Sequence, residues 1–163
     1  MSSTLASVLE LVSSYIGHRI SKVERVLYEF EGRLEEDDGE VQIHCNDMVL
    51  RLRCSPAGEL VEVVQTPWQD PFEGPLTREN IEFIRSHGRW HLVDVSERLN
   101  YRNVVGKPLT NVLPLTNRFG RMIGVQLQVN GTVMNVFVHA DELHVSWGSE
   151  SIPRWGHEWV DEQ

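Results

Sequence analysis

The sequence predicts an α+β fold that is mainly β. It reads as two copies of an antiparallel β-meander, about eight or nine strands in a curved sheet, a sandwich or a partly open barrel, with an N-terminal helix and a short helix between the copies. Three observations predict this. "VQLQVNGTVMNVFV" at 125–138 alternates apolar and polar residues on both sides of Asn130-Gly131, the strongest short hairpin signal because both central residues of such a turn need positive φ. Eighty-four positions upstream, "VQIHCNDMVLRLRC" writes the same ladder around Asn46-Asp47. Gly17-His18-Arg19-Ile20-Ser21-Lys22-Val23 also answers Gly106-Lys107-Pro108-Leu109-Thr110-Asn111-Val112 at an offset of 89.

Taken in order, residues 1–16 predict a helix capped by Ser3 or Thr4. Leu5, Val8, Leu9, Val12, Tyr15 and Ile16 form its apolar stripe, and Gly17 closes it. That stripe is expected to lie across the open face of the sheet. The first copy (17–64) runs through a strand, the acidic loop "EGRLEEDDG", the hairpin, a turn and a further strand. With Asn46-Asp47 as a two-residue turn, Cys45 faces Met48, Ile43 faces Leu50 and Val41 faces Leu52, and Glu40 faces Arg53 as a charge pair. Asp tolerates positive φ less well than Gly, so this turn is expected to be the looser one.

The connector (65–105) differs in composition. "QTPWQDPFEGPLT" holds three prolines and a glycine, which suits an irregular loop. Thr77 then caps a short helix, with Leu76 and Ile81 placed for a hydrophobic staple, Ile81 and Ile84 on one face and Gly88 at its end. "WHLVDV" (90–95) alternates like a strand, and Ser96 caps a turn leading to Gly106. The second copy (106–147) carries "TNRFGRMIG" in a stretch five residues shorter than the one that holds the acidic loop, and its Glu142-Leu143 answers Glu59-Leu60. The remainder (148–163) reads as a strap whose tryptophans dock on the body. All of 1–163 is read as one domain built from an internal duplication, because a single meander exposes an apolar face it cannot cover.

Composition narrows the function classes. The 40 % hydrophobic and 24 % charged content is that of an ordinary globular protein, and a chain of this length buries roughly 70 % of its unfolded surface without disulfides. No apolar run approaches the ~20 residues that cross a bilayer. No Lys or Arg precedes the apolar side of residues 1–16 and no small-residue cleavage site follows it, so a cytoplasmic location is expected. The net charge of −9 disfavours nucleic acid and favours a cationic partner. In the predicted hairpin Cys45 and Cys54 stand about 20 Å apart, too far to bridge; both read as small buried hydrophobes.

No catalytic signature emerges, so the chain is read as non-enzymatic, without cofactor or metal. His139, Asp141 and His144 share a turn but match no ligand signature and are taken as turn polarity. His44 cannot serve Cys45 as a base, since neighbours on a strand point to opposite faces. The residues singled out for a partner are Glu35, Glu36, Asp37 and Asp38 of the acidic loop and Trp68, Asp70, Phe72 and Glu73 of the connector, acids mixed with aromatic anchors. The run of acids also suits a solvated loop tip, and the aromatics also suit fastening of the loop.

No motif is specific to one family. In composition the chain resembles small bacterial proteins of unassigned role, immunity proteins that neutralise toxins among them, and this resemblance transfers no residues. The expectation is a protein-binding module for another protein, a basic one such as a nuclease toxin, with no nucleic acid and no membrane. A small-molecule site or enzyme with a cavity between the two sheet halves is the alternative. A homodimer through exposed sheet edges is a third.

Overall fold

The computed structural model describes residues 5–35 and 39–149. Ser3 and Thr4, the acids Glu36, Asp37 and Asp38, and the strap beyond Ser149 lie outside the described residues. Within them the chain folds as α1 (Leu5–Ser13), β1 (Ile20–Phe30), β2 (Arg33–Glu35), β3 (Val41–Cys45), β4 (Met48–Cys54), β5 (Val61–Val64), α2 (Arg78–His87), β6 (Arg89–Asp94), a single 3-10 turn (Tyr101–Asn103), β7 (Asn111–Thr116), β8 (Met122–Val129), β9 (Thr132–His139) and β10 (Glu142–Trp147). The strands form two antiparallel sheets, of six and four strands, not closed into a barrel.

Each sheet contains one meander, β1-β3-β4-β5 in the first and β7-β8-β9-β10 in the second. Their registers correspond. Val23 faces Ile43, which faces Leu50 across the hairpin; at the matching offsets Val112 faces Leu127, which faces Met134. The second turn has Asn130 and Gly131 both at positive φ, whereas in the first only Asn46 is. The sequence match fails by one residue at the end: Val138 faces Leu143 as Cys54 faces Val61, so Val61, and not Leu60, is the counterpart of Leu143.

The glycine-led starts of the two copies bond to each other. Ile20 N–H donates to Lys107 O at 2.9 Å and Leu109 N–H donates to His18 O at 3.0 Å. Adding the offset of 89 to His18 gives Lys107, and to Ile20 gives Leu109, so these two bonds exchange when the copies exchange. The pair is an internal counterpart of an isologous contact. On either side of it the inward residues of both sheets, Val23, Ile43, Leu50 and Leu52 with Val125, Leu127, Met134 and Val136, merge in one apolar core.

Helix α1 contributes Val8 and Val12, with Tyr15 just beyond, to that core. It packs on β5 and β7, an edge strand of each sheet, so it plugs the space between the sheets at one side and does not lie across an open face as the stripe suggested. The first sheet gains two strands the second lacks. The loop "EGRLEEDDG" turns at Glu31-Gly32 and returns as β2 on the end of β1, where the sequence suggested only a loop. The other edge of β1 is taken by β6 from the connector.

Arg25, only 1 % exposed, ties the layers together. Its guanidinium donates to Tyr101 Oη at 3.1 Å, Gly39 O at 2.9 Å and Leu143 O at 3.2 Å, linking β1 to the 3-10 turn, the loop before β3 and β10. A buried charge is tolerated only with such bonds. Arg25→Ala removes the cation and strands these buried acceptors, so urea denaturation should show a loss of about 3 kcal/mol or more.

Candidate functional site

Strand alternation decides what the outer face of the first sheet displays. Along β1 the inward side carries Val23, Arg25 and Leu27, so Glu24, Val26 and Tyr28 look outward. Directly across from Tyr28 stand Glu35 on β2 and Trp90 on β6, and the Tyr28 and Trp90 rings lie 5.3 Å apart. The loop returns beside the same pair. Val26 N–H donates to Glu40 O at 2.9 Å, and a Cβ on Gly39 would fall 1.5 Å from Val26 O and 3.1 Å from the Trp90 ring. The described residues on either side of 36–38, Glu35 and Gly39, therefore flank one aromatic row.

The connector lies over this face. Trp68 N–H donates to Gln42 Oε1 at 2.7 Å; the buried Gln42 donates to Glu24 Oε1 at 3.0 Å, and His44 Nε2 meets the same carboxylate oxygen. Asp70 accepts from Phe72 N–H and pairs with Arg89. Phe72 sits beneath the Arg89 guanidinium and 5.9 Å from Phe83, whose ring stacks on His87 at 4.6 Å. Of the residues singled out in the connector, Trp68, Asp70 and Phe72 are thus engaged with the body, and Glu73 is exposed.

Helix α2 completes the surface. Thr77 Oγ1 accepts from Asn80 N–H, and the N–H of Gly88 donates to Ile84 O, the caps that the sequence predicts. Yet none of its residues is buried. Ile81 is 43 % exposed, Phe83 50 % and the adjoining Trp90 40 %. Tyr28 Oη donates to His87 O, joining the helix end to the Glu35–Tyr28–Trp90 row. Sequence reasoning missed Tyr28, Phe83 and Trp90. Phe83 lies off the Ile81–Ile84 stripe, and Tyr28 and Trp90 meet only because β6 crosses to β1.

Beside this row is a pocket of about 300 Å³ lined by Trp68, Trp90, Glu40, Asp141, Arg53 and Cys54 over Val26 and Leu143. The expected Glu40–Arg53 pair is not formed. Ladder pairing begins only at Val41; Glu40 meets Arg51 at 3.5 Å, while Arg53 turns to Glu62 at 3.1 Å. Burial pushes the Glu40 carboxyl above its ordinary 4.5, against the pull of Arg51 and Arg53. Burial, then Asp141, Glu142 and Glu40, pushes the Cys54 thiol up to about 11. Both cysteines are free, and burial alone pushes Cys45 up to about 11.

A second concavity, of about 540 Å³, opens at one end of the sandwich where the β4–β5, β7–β8 and β9–β10 turns converge. Leu60, Ile123 and Val138 line it with Arg118, Arg121 and His139. Arg121 reaches Glu59 across the sheets at 3.6 Å. The neighbouring His139 and His144 rings are 6.0 Å apart, Asp141 is turned onto Gly58, and among the described residues no three His, Cys, Asp or Glu are arranged to hold a metal. No described helix is long and apolar enough to cross a membrane. Comparison with protein-family models, curated proteins and solved structures finds no match to this chain.

Two outcomes follow from the titrating groups. A carboxyl whose pKa is raised on folding favours the fold below its unfolded pKa, and that contribution is lost as pH rises through the folded value. Glu40→Gln should therefore raise the thermal midpoint relative to wild type at neutral pH, and the gain should shrink as pH falls through the folded and then the unfolded pKa, vanishing by pH about 3. Alkylation of the native chain with iodoacetamide at neutral pH should be far slower than that of a free thiol at both cysteines and should reach the free rate on unfolding.

Proposed function

We infer that the chain is a non-enzymatic protein-binding module that recognises a basic protein through the outer face of its first sheet. The observation that carries this reading is the convergence of the acidic loop and an exposed apolar surface. Glu35 and Gly39 flank Tyr28 and Trp90, and Tyr28 reaches the His87 end of α2, where Phe83 stacks on His87 and, with Ile81, is exposed. An amphipathic helix normally buries its apolar residues, and a contiguous apolar patch rimmed by charge marks an interaction surface. The acids steer a basic partner and set the rate of association, while the aromatic anchors set how long it stays. An immunity-type protein that neutralises a toxin is one biological setting for such chemistry.

Affinity capture at low and high salt, followed by kinetics with the captured protein, tests this. The partner should be basic, and reversing Glu35, Glu36, Asp37 and Asp38 to Lys should slow association about tenfold or more at low salt. Phe83→Ser should act mainly on dissociation. An acidic partner, or an association rate indifferent to charge reversal, overturns the reading.

A second reading, small-molecule binding between the two halves, is favoured by the end cleft, whose volume is in the range of ligand sites and whose rim carries Arg118 and Arg121. Small carboxylates or phosphates that raise the melting temperature of wild type but not of Arg121→Ala would support it.

A further inference from the structure

We propose that the pocket between Trp68 and Trp90 receives one cationic side chain, a Lys ammonium or an Arg guanidinium carried by the basic partner, with the indoles as walls and the Glu40 carboxylate as counter-charge. The inference rests on the protein-binding reading and specifies its chemistry.

Size, lining and charge point the same way. At about 300 Å³ the pocket stands at the lower limit of ligand sites and suits a single side chain. Two tryptophans supply the ring type that attracts cations most strongly, and Val26 and Leu143 offer apolar contact to an aliphatic stem. Arg53 is the one cation among the described lining residues, and its guanidinium is committed to Glu62 at 3.1 Å. Glu40 is under-compensated: burial holds its carboxyl up although Arg51 is 3.5 Å away and Arg53 also pulls it down. A further cation would relieve that cost. Burial first, and then Asp141, Glu142 and Glu40, keep the thiol of Cys54 in the pocket protonated. An anion would be repelled by the Glu40 carboxylate.

Titration with N-acetyl-arginine amide, N-acetyl-lysine amide and the neutral N-acetyl-norleucine amide, followed by NMR at the indole N–H signals of Trp68 and Trp90, tests the pocket directly. The two cationic compounds should bind in the millimolar range and the neutral one about tenfold more weakly, the order of a cation–π contact. Trp90→Leu and Glu40→Gln should each weaken the cations about fivefold or more, and Glu40→Gln should leave norleucine binding unchanged. Should Trp90→Leu fail to fold, Glu40→Gln decides. Equal binding of norleucine, or cation-induced shifts away from both indoles, overturns the proposal. Because this titration needs no partner, its failure beside an intact salt-sensitive, Phe83-dependent complex rejects the pocket alone. Cation binding without any basic partner rejects the protein-binding reading instead.

Discussion

The structure depends on two matched apolar faces that cover each other. A four-stranded meander leaves one side greasy, and the chain meets the problem by writing the meander twice and joining the copies at their glycine-led starts. The reciprocal bonds between His18 and Leu109 and between Ile20 and Lys107 fix that joint. From there the inward residues of both sheets fall into one core. The edges are handled locally. Helix α1 covers part of β5 and β7, and β7 carries Pro114 in mid-strand, a residue that cannot donate to a further ladder and is tolerated at an edge.

Once the inner faces are spent on stability, only the outer faces can differ, and they do. Gln42 and Gln126 occupy equivalent buried positions. In the first sheet Gln42 joins Glu24 and takes the Trp68 backbone, so an ionisable network anchors the connector. Gln126 instead bonds Asn135, which reaches Ser146, a neutral ladder. Where β1 has Glu24, β7 has Leu113, exposed to solvent. Charge has accumulated on the first copy, which also gained β2 and β6, and the connector brings Trp68 and Trp90 to it.

Local chemistry was legible in the sequence. Turn residues fixed the hairpin registers, so that Val41, Ile43 and Cys45 face Leu52, Leu50 and Met48 as the Asn46-Asp47 turn requires, and the caps of α2 were readable from Thr77 and Gly88. Non-local pairing was not. Nothing in "WHLVDV" says that it joins β1, and without that pairing Trp90 cannot be set beside Tyr28 and Glu35. The short β2 was hidden by its own acids, which read as a loop, and the Glu40–Arg53 pair failed because the chain leaves the β3 ladder at Val41 to bond β1. Of the site, Glu35, Trp68 and the connector were found from composition. The exposed Phe83 was missed because periodicity reports which helix face is apolar, not whether anything covers it.

Gly39 shows how scaffold and surface are coupled. Any side chain there would collide with the carbonyl of Val26, so only glycine lets the chain lie close on β1 at this point and pass Glu40 O to the Val26 amide. Arg25 holds the same point from beneath, donating to Gly39 O and to Leu143 O on the second sheet. The return of the loop is thus pinned from both sides of the first sheet, and through Arg25 to the other copy. A surface that is to present charge beside indoles at a fixed spacing needs such anchoring, because a loop ordered only on binding would forfeit much of its interaction energy to entropy. The buried Arg25 and the return of the loop at Gly39 are, in this sense, one construction.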